Sequence, residues 1–267
     1  MFKRYASVFL SEYLGTFLLV GISFVSSVLV GGGESFTMGL GLMLLIYVFS
    51  NYSRAHLNPV VTVATFFSRK MSLKAALGYL AAQFLGALSV FPLANLLRNS
   101  YIDYQVLRNS TGGYEVDGLR EQIVAQIPAL ANTFQTGSLG LVFGLEAVGA
   151  FMLVVAILVV SNSEKLKNYT GAVAGLALFV VTAFASQISG ASFHPFRSLV
   201  PALFSGGEAW SQSWVYVLAP LTGALLATVV YWAFELLGKP SSKKSTASSA
   251  PKSAKKPARK SSRRSRK

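Results

Sequence analysis

The chain has no cysteine and only two histidines, His56 and His194, among its 267 residues. Disulfides, thiolate metal centres and cysteine nucleophiles are therefore excluded. His194 has no evident second ligand, so no metal site is expected. Charge is also scarce: Asp, Glu, Lys and Arg make up 13% of the residues, against about 25% in soluble domains. No phosphate-binding glycine loop, activated nucleophile or pair of catalytic carboxylates can be read. The chain is accordingly expected to be no enzyme and to need no cofactor.

What is present in quantity is apolar. Hydrophobic residues are 52% of the chain, the mean hydropathy is +0.51, and several runs approach the roughly 20 apolar residues that cross a bilayer core. The composition is that of an integral membrane protein. The net charge of +14 resembles a nucleic-acid signature until it is located. Residues 239–267 hold 12 of the 24 Lys and Arg and no acid, so 12 basic residues face 10 acidic ones in the first 238. That Ser-, Ala- and Pro-rich tail cannot bury a core. It is expected to be a disordered cytoplasmic extension, with contact to anionic lipid headgroups the next reading and nucleic-acid binding behind both.

Six long apolar segments fall at about 6–30, 36–53, 72–97, 138–161, 170–188 and 211–237. Lys3, Arg4, Arg54, Arg69, Lys70, Lys74, Lys165, Lys167 and the tail then share one side, which the positive-inside rule makes cytoplasmic. Both termini lie there. Glu34, the 98–137 segment and Glu208 fall on the other side. Asn109-Ser-Thr, in that outward segment, is a glycosylation sequon.

Two further apolar pieces, near 59–68 and 195–204, are too short to cross. Each opens at an X-Pro, Asn58-Pro59 and His194-Pro195. Proline suits the first helical position because its missing N–H would have no partner there, and Asn is a good N-cap. Both read as half-helices of about 15 Å.

The chain also repeats itself. SEYLGTFLLV (11–20) aligns with LEAVGAFMLV (145–154), pairing Glu12 with Glu146, and GLGLMLLIYVF (39–49) with GLALFVVTAFA (175–185). SRAHLNPVVT (53–62) aligns with SGASFHPFRS (189–198), pairing Asn58 with His194. Residues 1–97 and 138–238 are thus two copies joined by 98–137 and followed by the tail. Three spans per copy turn the second upside down. Such inverted repeats bring the N-termini of broken helices together near the midplane, where irregular backbone survives only inside protein or along water.

With these boxes, the sequence resembles the major intrinsic protein (aquaporin) family. The resemblance runs over about residues 8–237 and rests on the two X-Pro boxes and on EYLGTF and EAVGAF at the entries to the first and fourth spans. It implies an all-α membrane fold of six transmembrane helices plus two re-entrant half-helices in an inverted 3+3 repeat. It further implies a passive channel for water or small uncharged solutes such as glycerol, ammonia or urea, assembled as a homotetramer. By position the pore centre would be Asn58, Pro59, Val60, His194, Pro195 and Phe196. The selectivity constriction would be Met38, Thr182, Ala191 and Arg197. The chain departs from the family's Asn-Pro-Ala pattern mildly at Val60 and strongly at His194 and Phe196. A poorly conducting member with a structural or tethering role is the alternative.

Each of these residues has a physical reading. Arg197 in a pore mouth repels cations and donates hydrogen bonds to a solute. Asn58 caps its half-helix and offers N–H to the pore, and His56 is expected to brace the loop. Glu12 and Glu146 are expected to hold loop N–H groups. His194 supplies one donor and one acceptor where Asn has two donors and a carbonyl. Phe196 is expected either to narrow the pore or to repack against a neighbouring span.

Overall fold

The computed structural model describes residues 2–29, 34–111, 118–127, 129–134 and 138–237. The 239–267 tail lies outside them. The described residues fold into α1 (Phe2–Leu29), α2 (Glu34–Phe49), α3 (Pro59–Phe67), α4 (Leu73–Thr111), α5 (Leu119–Gln126), α6 (Leu139–Ser161), α7 (Thr170–Ser189), α8 (Pro195–Ser205) and α9 (Gly207–Leu237). Helices α1, α4, α6, α7 and α9 are long and apolar enough to cross a membrane, by length and composition, and α2 is a shorter apolar helix of 16 residues. The protein is all-α.

Polarity is distributed inside out. Large apolar side chains such as Leu10, Leu44, Leu77, Leu176 and Leu226 stand exposed, whereas Glu12, Glu146, Gln83, Thr62 and Arg197 are buried. An exposed apolar exterior of this extent suits lipid rather than water. This is an integral multi-pass membrane protein.

Close packing depends on glycine where helices meet. A Cβ on Gly39 would stand 2.7 Å from the Gly175 carbonyl oxygen, and one on Gly175 would stand 2.4 Å from that of Gly39. Helices α2 and α7 therefore touch backbone to backbone. Gly86 against the Tyr13 carbonyl and Gly223 against the Ala147 carbonyl do the same for α4 on α1 and α9 on α6.

The structure differs from the sequence expectation beyond residue 97. Helix α4 does not stop there but runs on to Thr111. The extension carries Ile102 into a small apolar cluster with Leu119, Ile123 and Ile127, so this stretch has a core of its own to hold it helical. Asn109 consequently sits in the last turns of a helix, its side-chain amide donating to the Gln105 carbonyl at 2.9 Å.

Candidate functional site

The two short helices are built alike. Helix α3 has nine residues and α8 has eleven, roughly 14 and 17 Å of helix. Each begins at a proline behind an extended cap residue. Asn58 accepts from the Val60 N–H through Oδ1 at 3.0 Å, and His194 accepts from the Arg197 N–H through Nδ1 at 3.2 Å.

The loops leading into them are strained in matched places. Ala55 and Leu57 have φ of 47° and 51°, and Ala191 and Phe193 have 44° and 46°. Side chains rarely take this left-handed region without compensation, and a buried carboxylate provides it in each copy. Glu12 accepts from the N–H groups of His56 (3.0 Å) and Leu57 (2.9 Å), from Ser53 Oγ (2.7 Å) and from Gln83 Nε2 (2.9 Å). Glu146 accepts from Ser192 N–H (2.9 Å), Phe193 N–H (2.8 Å) and Ser189 Oγ (2.7 Å). The oxygens of a carboxylate can accept all of these bonds, which a neutral amide could not. Gly15 and Gly149 leave room for the strained residues, since a Cβ there would fall 2.3 Å from Leu57 Cδ2 and 2.1 Å from the Phe193 ring.

Strain, caps and glycines together bring the two helix starts face to face. Asn58 Nδ2 donates to the Phe193 carbonyl at 3.0 Å, and His194 Nε2 lies 3.0 Å from the Leu57 carbonyl. Because the Arg197 N–H points at Nδ1, that nitrogen must be the acceptor, and the ring proton belongs on Nε2. Each cap residue thus binds the carbonyl just ahead of the other. His194 takes over the two backbone bonds that Asn58 makes on its own side. The difference is what remains: Asn58 keeps a second amide N–H, and the imidazole has no further donor.

A narrow cavity lies at this junction, and Met38, His56, Asn58, Ser192, His194 and Arg197 are on its wall. It offers water centres about 20 Å³, room for roughly one or two waters at a time. The rest of its wall is aliphatic. His56, Val61 and Ile157 also line a wider vestibule of about 360 Å³ that includes Arg54 and Lys167, so the two spaces adjoin. The basic residues of the vestibule are among those the sequence places on the cytoplasmic side.

Arg197 is held on three sides. Nε donates to Ser23 Oγ, one terminal nitrogen to the Gly190 carbonyl at 3.0 Å, and the other to Glu34 Oε1 at 3.2 Å. The other residues expected at the site fall as follows. Pro59, Val60 and Pro195 are buried in the two helix starts. Thr182 and Ala191 are buried without lining the cavity. Phe196 lies outside the cavity wall and meets Phe84 edge to face at 5.3 Å, within an apolar cluster formed by α1, α4 and α8. His56 both lines the path and braces it, with Nδ1 3.1 Å from Thr62 Oγ1.

Sequence reasoning missed Ser23, Gln83, Asn132 and the role of Glu34. Asn132 stitches the 129–134 segment to the second box, accepting from Ser198 Oγ at 3.1 Å and donating to the Ser189 carbonyl at 3.4 Å. The repeat held one usable signal. Glu12 and Glu146 align, which marks both loops, but nothing in the second copy matches Gln83.

A family model described as "Major intrinsic protein" matches residues 3–231. Among curated proteins, the chain is 33% identical to the glycerol uptake facilitator protein-like 6 of Lactiplantibacillus plantarum, over 82% of this chain and 94% of that one. It is 32% identical to aquaporin A of Dictyostelium discoideum, over 84% of this chain and 76% of the relative. The X-ray structure of the aquaglyceroporin from Plasmodium falciparum superposes with a TM-score of 0.67 at 22% identity, covering 86% and 95% of the two chains. That likeness bears on the fold.

Proposed function

The chain belongs to the major intrinsic protein family, is therefore not an enzyme, and from that premise we propose that it is a passive transmembrane channel for water and small uncharged solutes. The observation that carries the reading is the paired junction of α3 and α8 beside a cavity with room for roughly one or two waters that adjoins a basic vestibule. In this reading α2 is the sixth span, and α3 and α8 are re-entrant half-helices of an inverted 3+3 repeat. Their positive ends at the junction orient water and oppose cations. Asn58 and His194 form the pore centre with Pro59, Val60, Pro195 and Phe196 behind them. Met38 and Arg197 form the constriction, with Thr182 and Ala191 buried off the cavity wall. Both termini face the cytoplasm, the basic tail meets anionic headgroups, and the channel assembles as a homotetramer with one pore per subunit.

Kinship with both a glycerol uptake facilitator-like protein and aquaporin A leaves both solutes in play, and the small cavity favours water as the faster one. Stopped-flow light scattering on proteoliposomes, under sucrose and then glycerol gradients, tests the reading. Fast shrinkage with a low activation energy supports it. A second reading, a poorly conducting member with a tethering role, is favoured by the single free N–H at the centre. It predicts shrinkage no faster than that of empty vesicles.

A further inference from the structure

Among the described residues, the guanidinium of Arg197 is the one permanently charged group on the wall of the narrow cavity, and a carboxylate sits against it. Glu34 opens α2 and places Oε1 3.2 Å from a terminal nitrogen of Arg197, with side-chain exposures of 17% and 8%. Its backbone carbonyl meanwhile accepts from Thr37 Oγ1 at 2.9 Å, which fixes the first turn of α2. The residue is thus anchored at its backbone and aimed with its side chain. Ser23 on α1 and the Gly190 carbonyl ahead of α8 hold the remaining two nitrogens. Three separate elements clamp one side chain.

The consequence is electrical as well as steric. An isolated cation at the neck of a low-dielectric passage attracts anions and binds water dipoles strongly. Paired with a carboxylate at this distance, the two charges cancel for anything farther away than the pair is long. Repulsion of cations then rests on the helix ends at Asn58 and His194. An ordinary first-turn acid would stabilise α2 through its helix dipole, but that role needs no contact with Arg197.

We propose that Glu34 is a specificity-determining residue of the channel that positions Arg197 against the pore wall and neutralises it, so that the mouth takes neutral dipolar solutes without collecting anions. The proposal rests on the channel reading above. It requires that Arg197, once unpaired, hold water and anions in the neck.

The full chain in proteoliposomes tests it through Glu34→Gln, Arg197→Ala and the double variant, each checked for assembly by gel filtration. Glu34→Gln is expected to lower water permeability about fivefold, the factor carried by an interaction of roughly 1 kcal/mol. It is also expected to make the flux fall further as symmetric sodium nitrate replaces sucrose, to which the unaltered chain is indifferent. In the Arg197→Ala background, Glu34→Gln is expected to change neither. An effect of Glu34→Gln that persists without Arg197, or no effect with it, overturns the proposal and leaves the channel reading standing. An unaltered chain that conducts nothing overturns both. If Glu34→Gln does not assemble, Glu34→Asp replaces it, and the same nitrate sensitivity, weaker, is the expected result.

Discussion

Asn58 and His194 hold each other's entry loops: the amide donates to the Phe193 carbonyl and the imidazole to the Leu57 carbonyl, both at 3.0 Å. Two chemically different side chains therefore close the same pseudo-symmetric clasp. The clasp is a backbone device, and any residue with one acceptor for the cap and one donor for the cross-link can complete it. What His194 does not supply is the extra N–H that an amide retains. His194→Asn is thus expected to keep the fold and raise water permeability about fivefold, the factor for one hydrogen bond of roughly 1 kcal/mol. His194→Ala is expected to lower stability by about 1–3 kcal/mol, because the Leu57 carbonyl loses its partner while the Arg197 N–H keeps only the His194 carbonyl at 3.0 Å. Thermal unfolding in detergent together with vesicle shrinkage separates the two outcomes.

Phe196 gives the opposite expectation. Its ring packs edge to face on Phe84 and on His194 and is not on the cavity wall, so shrinking it is expected not to widen the path. Phe196→Ala is expected to cost about 1–3 kcal/mol, less than a fully buried phenylalanine because it is only partly enclosed. Water permeability per folded protein is expected to stay within about twofold of the unaltered chain, a change worth under roughly 0.5 kcal/mol. A marked gain in flux would place its ring in the pore.

The buried carboxylates carry the strained loops. Glu12→Gln or Glu146→Gln turns one accepting oxygen into a donor facing backbone N–H groups that point at it. Each is expected to destabilise by about 2–4 kcal/mol, the range for breaking a buried network of this kind. Loss of the monodisperse gel-filtration peak, or a large drop in the melting temperature, checks this. Wild-type melting in both variants would mean that φ near 50° at Leu57 and Phe193 needs no such support.

How much of this was legible beforehand depends on which forces were local. The half-helix starts were readable because a cap residue and a proline write their geometry into two adjacent positions. The pairing of Glu12 with Glu146 was readable because duplication repeats a spacing. The continuation of α4 past residue 97 was not, since Ile102 gains its partners from Leu119, Ile123 and Ile127 farther along the chain. The Glu34–Arg197 contact joins residues 163 apart, and nothing in the sequence near Glu34 distinguishes it from an ordinary first-turn acid. Phe196 was left open between pore and core because a ring three residues into the second box could face either way, and its contact with Phe84 on α4 is not written in the neighbouring sequence.

Glycine positions separate packing from propensity within a single helix. Gly140, Gly144 and Gly149 all lie in α6, yet a Cβ at the first two would meet nothing within 4 Å, while at the third it would strike the Phe193 ring at 2.1 Å. Gly144→Ala is expected to be neutral or to stabilise by about 0.5–1 kcal/mol through helix propensity. Gly149→Ala is expected to push Phe193 and with it the carbonyl that Asn58 binds. Its cost should reach about 1–3 kcal/mol for overpacking, and its water permeability should fall as the clasp opens. Gly223→Ala is the stricter case, because the Cβ would lie 2.0 Å from the Ala147 carbonyl oxygen, and backbone cannot rotate away as a ring can. Melting temperatures in the order Gly144→Ala, then Gly149→Ala, then Gly223→Ala from highest to lowest would bear this out; Gly223→Ala melting with the unaltered chain would show that α6 and α9 can part without loss.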